Sequence, residues 1–341
     1  MSRSESLFAP VSRTVLHALH DAGGRRARLL LALSGGADST ALLRSALDCR
    51  SELKLELVAA HLNHRARGEA STADADWLVT LCRSLGVPLI LEEIDVPAQA
   101  KSAGLGFEEA ARTIRYEFLD RTAITQNCPL LAVAHNTDDL AETVLHNLLR
   151  GTGIAGLKGI PRERMLPGGT RLIRPLLAVT RAEILDYLAG LGQEYRTDAT
   201  NADLEATRNR LRLDLLPKLR EEYNPQLARA LSRLATQAED VQQAIAFAAR
   251  DLAFQTREKI EAADWGIRWQ ELQQHPRHLL REMFVAIWID LDWPRQEMTF
   301  AHWDRLATQI TVGGRNQFPG GIDVQRSGRL LRLRREVDRT G

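Results

Sequence analysis

The stretch Leu29-Leu30-Leu31-Ala32-Leu33-Ser34-Gly35-Gly36-Ala37-Asp38-Ser39-Thr40-Ala41-Leu42-Leu43 decides the fold. Its apolar opening predicts a buried strand, its small polar middle a tight turn, and its apolar close the start of an amphipathic helix. A strand, a glycine turn and a helix in that order aim backbone N–H groups and a helix N-terminus at one point, which is how a chain wraps an anion. A Walker-type loop would place a lysine after the glycines to reach the outer phosphates, and none follows Gly35 or Gly36. The hydroxyls of Ser34, Ser39 and Thr40 and the N–H groups near Gly35 and Gly36 are the groups left to hold phosphate oxygens. Asp38 repels phosphate unless a cation intervenes, so its expected task is to hold Mg²⁺ against the phosphates. The plain alternative is a strand-to-helix turn in which Asp38 or Ser39 is merely the N-cap.

Outward from this turn, apolar runs of strand length alternate with longer helical patterns. Strands are expected at Arg28 to Leu33, Leu55 to His61, Pro88 to Asp95 and Pro129 to His135, with helices near Ala37 to Leu47, Glu69 to Leu85 and Phe107 to Thr125. Such alternation predicts an α/β fold with a doubly wound parallel sheet. Ligands in these sheets sit at the carboxyl ends of the strands, where His61 and His135 are expected. After Pro217 the pattern changes. Leu227, Ala230, Leu231, Leu234, Ala235 and Ala238 recur at helical spacing, predicting one long helix or two in line to about Ala262. A partly helical module with Trp265, Trp269, Trp288, Trp293 and Trp303 follows, its tryptophans expected in the core, and ends in a hairpin around Gly320-Gly321 and Ser327-Gly328. The expected division is 1–218 and 219–341, the second domain mostly helical.

With 341 residues, 44% hydrophobic and 26% charged, the chain can bury a normal core in about two domains. A formal net charge of +1 excludes whole-molecule electrostatics as an argument for nucleic acid, so any such surface is local. Two local basic clusters exist: Arg208, Arg210, Arg212, Lys218 and Arg220, and Arg326, Arg329, Arg332, Arg334 and Arg335. Cys49, Cys82 and Cys128 are scattered and form no C-x-x-C, which supports neither zinc nor a disulfide framework. With no bilayer-length apolar run and no signal-peptide pattern, a cytoplasmic protein without membrane contact is expected.

Three further clusters carry chemistry. In Ala134-His135-Asn136-Thr137-Asp138-Asp139-Leu140-Ala141-Glu142-Thr143, a continuous helix would bring His135, Asp138, Asp139 and Glu142 to one face, a set suited to Mg²⁺ and to steering an amine. The alternative is an acidic first turn with Asn136 or Thr137 as cap. In Gly106-Phe107-Glu108-Glu109-Ala110-Ala111-Arg112-Thr113-Ile114-Arg115-Tyr116, Glu108 and Arg112 fit a surface ion pair, whereas Arg115 can neutralise charge building on an attacked phosphate. His61-Leu62-Asn63-His64-Arg65-Ala66-Arg67 has two histidines but no third ligand nearby, so contact with adenine, substrate or phosphate is expected. Gly151-Thr152-Gly153-Ile154-Ala155-Gly156 matches the dinucleotide fingerprint but follows a helix instead of a strand, which marks it as a helix exit.

The turn SGGADS resembles the pyrophosphate loop of the PP-loop ATP-pyrophosphatase superfamily, whose fold is adenine-nucleotide alpha-hydrolase-like. Taken with HLNHRAR, GFEEAARTIRY, AHNTDDLAET, RGTGIAGLKGI, RPLL from Arg174 and DATNADLEATRNRLR from Asp198, it resembles one branch, the tRNA(Ile)-lysidine synthetases, over nearly all of residues 28 to 220. The resemblance implies an AMP-forming ligase that uses ATP and Mg²⁺. It would join free lysine to C2 of the wobble cytidine of a CAU-anticodon tRNA(Ile), giving lysidine and switching decoding and charging from Met to Ile. It implies Asp38, Arg115, Asp139 and Arg208 as the first candidates for catalysis, with His135, Asp138 and Glu142 as second choices, Asp38 and Asp139 as metal ligands, and Ser34, Gly35, Gly36, Ala37, Asp38 and Ser39 as the ATP cradle. The C-terminal part resembles the family's first tRNA-binding module; longer members carry a further domain beyond it, and a homodimer is compatible with the resemblance. Two rivals stay open: another PP-loop tRNA-modifying enzyme such as a 2-thiocytidine synthetase, which would want well-placed cysteines, and a non-catalytic ATP- or tRNA-binding protein.

Overall fold

The structure, a computed structural model, describes residues 9–65, 69–196, 209–261 and 264–335. It divides into two compact units, residues 1–236 and 237–341. In the first, β1 (Arg28–Ala32) is followed by α2 (Ala37–Leu53), β2 (Glu56–Asn63), α3 (Glu69–Ser84) and β3 (Leu89–Glu93), after an opening helix α1 (Pro10–Asp21). Then come α4 (Val96–Ala103), α5 (Phe107–Thr125), β4 (Leu130–Ala132), α6 (Thr137–Leu149), α7 (Ile154–Leu157), β5 (Glu163–Met165), β6 (Arg171–Ile173) and α8 (Arg181–Gly190). The sheet order is β3-β2-β1-β4-β6-β5, parallel except for the edge strand β5.

Alternation along β1 explains the double winding. Leu29 and Leu31 face a core shared with Val15, Leu19, Leu42 and Leu188 from α1, α2 and α8. Leu30 faces the opposite core with Phe118 and Leu119 of α5 and Leu131 of β4. All three leucines are fully buried. Strand order reverses between β1 and β4, so the crevice beyond their carboxyl ends is the topological switch point where such sheets bind ligands.

Several expectations shift by a few residues. β2 continues past His61 to Asn63, because the His61 ring is buried and its Nδ1 lies 2.8 Å from the Leu33 carbonyl oxygen. β4 ends at Ala132, three residues before His135. The hairpin β5–β6 was not anticipated; its strands are three residues each, too short for a period to show. Gly151–Gly156 does follow a helix, as α6 ends at Leu149.

The helix Leu227–Thr256 carries the boundary between units, later than the position 218 suggested by composition. Leu231 and Ala235 pack with Leu140, Val144 and Leu177 of the first unit, which keeps its opening turns there. The same helix stops at Thr256 instead of near Ala262, and β7 (Arg257–Glu261) starts at once. The second unit combines helices Arg277–Asp290 and Phe300–Val312 with an antiparallel sheet of order β7-β8-β11-β10-β9, where β8 is Asp264–Arg268, β9 Arg315–Phe318, β10 Ile322–Ser327 and β11 Leu330–Arg335. Only the β10–β11 hairpin was legible in advance. Trp288 is fully buried and meets Trp293 and Trp303 edge-on at 4.9 Å and 5.5 Å.

Candidate functional site

Gly35 has φ +86°, the left-handed region that glycine adopts without strain, and its carbonyl accepts from the Arg196 N–H at 2.9 Å and from Thr40 Oγ1 at 3.3 Å. The turn is thereby fixed before any ligand arrives. Ser39 Oγ knits it from inside, accepting from the Ser34 N–H at 3.1 Å and donating to the Gly36 carbonyl at 3.0 Å. Gly36 is the N-cap of α2 and offers no side-chain cap. The first-turn N–H groups of α2 have no partner within the helix and carry its positive dipole end. A cavity of about 450 Å³ opens over them, lined by Ser34, Asp38, Ser39, His64, Arg115 and His135 among others. All of the expected site residues that the structure describes are thus in or beside one crevice.

Two helix N-termini supply its acids. Asp38, in the first turn of α2, accepts from Asn136 Nδ2 at 3.1 Å and pairs with the Arg181 guanidinium. Asp139, in the first turn of α6, accepts from the Asn136 N–H at 3.0 Å. Asn136 therefore links the two carboxylates. Burial, then the negative charges of Asp38 and Glu142, outweighs the Asn136 hydrogen bond and pushes the Asp139 carboxyl up to about 6. A carboxyl raised by burial and by neighbouring negative charge is stabilised in its ionised form by a cation. Among the described residues no cluster of three His, Cys, Asp or Glu could enclose a metal by itself. Two carboxylates beside an anion cradle fit Mg²⁺, which takes one or two protein carboxylates and completes its shell with phosphate oxygens and water.

The acidic face expected from His135 to Glu142 does not form as one surface. The helix begins at Thr137, because Asn136 caps it in a capping box with Asp139, and His135 lies outside it. Asp138 turns away: its carboxylate accepts from the Arg181 N–H at 2.7 Å and from Arg220 at 2.5 Å. Neighbours in sequence, Asp138 ties α6 to α8 and the helix Leu216–Glu222, while Asp139 faces Asp38. The first basic cluster is correspondingly spoken for in part, Arg220 by Asp138 and Lys218 by Asp214 at 2.7 Å.

His135 is fixed by Arg174, the first residue of the RPLL segment. The buried Arg174 donates from Nε to His135 Nδ1 at 3.2 Å and from Nη1 to the Pro161 carbonyl at 2.7 Å. An arginine cannot accept, so His135 Nδ1 is the acceptor and its proton sits on Nε2. Burial, then Arg174, Arg115, Arg112 and Arg164, pushes the imidazole down to about 3. His64 is pushed down to about 4 by burial, then Arg115 and His61. Both histidines are neutral donors or acceptors at neutral pH. Arg208 lies outside the described residues, as do Ala66, Arg67 and the Glu108 side chain.

The PP-loop domain family matches residues 9–219, and the chain belongs to it. Its curated relatives narrow the resemblance. It is 40% identical over 214 residues to the tRNA(Ile)-lysidine synthase of Bacteroides thetaiotaomicron, covering 63% of this chain and 48% of that protein. It is 36% identical over 265 residues to the synthase of the same name from Geobacillus kaustophilus, covering 78% of this chain and 56% of that one. The chain thus spans about half the length of these relatives. A U34-tRNA thiolase from Methanococcus maripaludis, solved with its 4Fe–4S cluster, shares the fold, with a TM-score of 0.57 at 21% identity over 67% of this chain and 76% of that one.

Proposed function

We propose that this chain is an ATP-dependent, AMP-forming ligase of the tRNA(Ile)-lysidine synthase type. The observation that carries the reading is the pairing of an uncapped α2 N-terminus with two acids, Asp38 and Asp139, held together by Asn136 at the switch point. The relatives' shared name supplies the substrate class. In the first step the wobble cytidine O2 attacks the α-phosphorus of ATP, the α–β bridging P–O bond breaks and pyrophosphate leaves. In the second, the lysine amine attacks C2, the C2–O2 bond breaks, AMP leaves and the nitrogen loses a proton.

In this scheme Ser34, Ser39 and the N–H groups from Gly35 to Ser39 take the leaving pyrophosphate, with the α2 dipole favouring its charge. Asp38 and Asp139 would hold Mg²⁺, which when bound neutralises the phosphates as charge shifts to the leaving group. Arg115, and Arg208 by the same resemblance, would neutralise charge on the α-phosphate. His135, neutral with its proton on Nε2, is suited to donate a hydrogen bond and not to take a proton at Nδ1. The second unit, with Arg332 and Arg334 exposed on β11, is proposed to add affinity for the RNA backbone.

The thiolase alternative fits less well. Burial pushes the Cys49 thiol up to about 12 and Cys82 to about 11, and Cys128 is raised as well, so all three favour the unreactive neutral form. Among the described residues no helix is long and apolar enough to cross a membrane. The test is incorporation of labelled lysine, with ATP, into a CAU-anticodon tRNA(Ile) transcript. Without lysine, pyrophosphate and a tRNA-linked AMP should accumulate; lysyl-AMP formed without tRNA overturns the order of steps.

A further inference from the structure

A second cavity, of about 700 Å³, adjoins the phosphate site, and Tyr116 lines both. Its walls come from α5 and from the β5–β6 hairpin. Three guanidinium groups crowd the Tyr116 ring: Arg164 at 4.4 Å, Arg112 at 5.2 Å and Arg115 at 5.6 Å from its centre. Among the described residues no ion pair joins a carboxylate to any of the three, although Glu117 and Asp120 also line the cavity and Glu92 holds Arg121, on the same wall, through two hydrogen bonds of 2.8 Å and 2.6 Å. Like charges gathered around one ring repel, and an anion relieves them. On the same wall Asp120 is only 8% exposed. Its Oδ2 accepts from the Gly168 N–H at 2.7 Å, while Oδ1 is buried with no hydrogen-bond partner.

Cations, an apolar wall of Ile124 and Leu166, and a spare carboxylate oxygen are the three things an unstacked nucleotide needs. Phosphate goes to arginine, the base lies against apolar or guanidinium planes, and its edge offers N–H groups that a carboxylate accepts. We infer that this cavity receives the RNA nucleotide adjacent to the modified one, its phosphate held by Arg112 and Arg164 and its base edge turned toward Asp120. The shared Tyr116 wall lets consecutive nucleotides of one strand occupy the two cavities. This rests on the tRNA reading above, and it adds a contact in the first unit that chooses which base reaches the ATP.

The experiment measures binding of a CAU anticodon stem–loop RNA against salt concentration, using the full chain and its R112A/R164A and R112K/R164K variants. Each phosphate neutralised on single-stranded RNA contributes about 0.7 to the slope of log affinity against log salt, so the double-alanine variant, which releases the one phosphate that both arginines hold, should lose about 0.7. Its affinity at low salt should fall by roughly tenfold or more, with ATP affinity and thermal unfolding unchanged. The double-lysine variant keeps both charges and should keep the slope, and so guards against misfolding of the alanine protein. Equal slopes for all three proteins, or the same loss in the lysine and alanine variants, overturn the inference. If the unaltered chain makes tRNA-linked AMP while its double-alanine variant binds RNA unchanged, only the cavity assignment fails; an unaltered chain that binds no RNA removes the tRNA reading with it.

Discussion

Two strand-to-helix turns face one another across the switch point, one from β1 to α2 and one from β4 to α6, and they are finished in opposite ways. The second is closed. Asn136 Oδ1 accepts from the N–H groups of Asp138 and Asp139 at 2.8 Å and 3.1 Å, and Asp139 returns a bond to the Asn136 N–H. The first is open, since Gly36 has no side chain to cap α2. Both turns sit at carboxyl ends of neighbouring parallel strands, so topology alone does not tell them apart. The missing cap does. A helix start that satisfies its own N–H groups is structural, and one that leaves them free beside a cavity is ready for an anion.

The largest expected effect comes from joining the two turns wrongly. Asp38→Asn retains shape and the contact with Asn136 but removes the negative charge that Asp38 sets beside Asp139. AMP formation should fall on the order of 100-fold or more, with thermal unfolding little changed. Near-normal turnover would show that Asp38 only pairs with Arg181.

Capping the open turn is the next test. Gly36 has φ −70°, and a Cβ there would sit 3.5 Å from Ser34 Oγ, an ordinary contact, so Gly36→Ala should fold and bind ATP. Gly36→Asp supplies both a cap and a negative charge where the phosphate belongs. Its ATP affinity, read by calorimetry, should be roughly tenfold weaker than that of the alanine variant. Equal affinities would place the phosphates elsewhere. Uncapping the closed turn is the converse. Asn136→Ala removes the acceptor for two N–H groups and should cost about 1–2 kcal/mol of stability, read as a lower denaturant midpoint, and it frees Asp38 from its tether so that AMP formation falls too. Loss of stability with full activity would deny Asn136 its positioning role.

The difference between the turns also separates what was legible in the sequence from what was not. The open turn is readable because its signal is local: β1, the glycines and α2 are contiguous, and α5 falls where its pattern placed it, at Phe107–Thr125. The acidic cluster misleads because a helical wheel assumes that the helix starts before His135. The spacing from Asn136 to Asp139, with an acid at N3, was the signal for a start at Thr137. Arg174, Arg181 and Arg164 reach the site from segments whose pairing with β4, α2 and α5 no local pattern encodes. The second unit's sheet was hidden for the same reason. β8 pairs with β11 across more than sixty residues, and β7 continues a helix without a break in composition.

The smallest expected effect lies just outside the closed turn, at His135. Arg174 donates to Nδ1, so protonating that nitrogen would break the contact and bring two cations together in a buried place. The folded imidazole is held down at about 3, whereas the unfolded chain takes up its proton near 6.5. Stability from the neutral ring is therefore fully present above 6.5 and is lost as the pH falls toward 3. Between pH 7 and pH 6 the loss should be about 0.7 kcal/mol, growing as acid increases. His135→Asn keeps an acceptor for Arg174 without a titrating group, and its unfolding free energy should fall less over the same step. If the two proteins lose stability in parallel, His135 is not held neutral by Arg174, and the assignment of its proton to Nε2 goes with it.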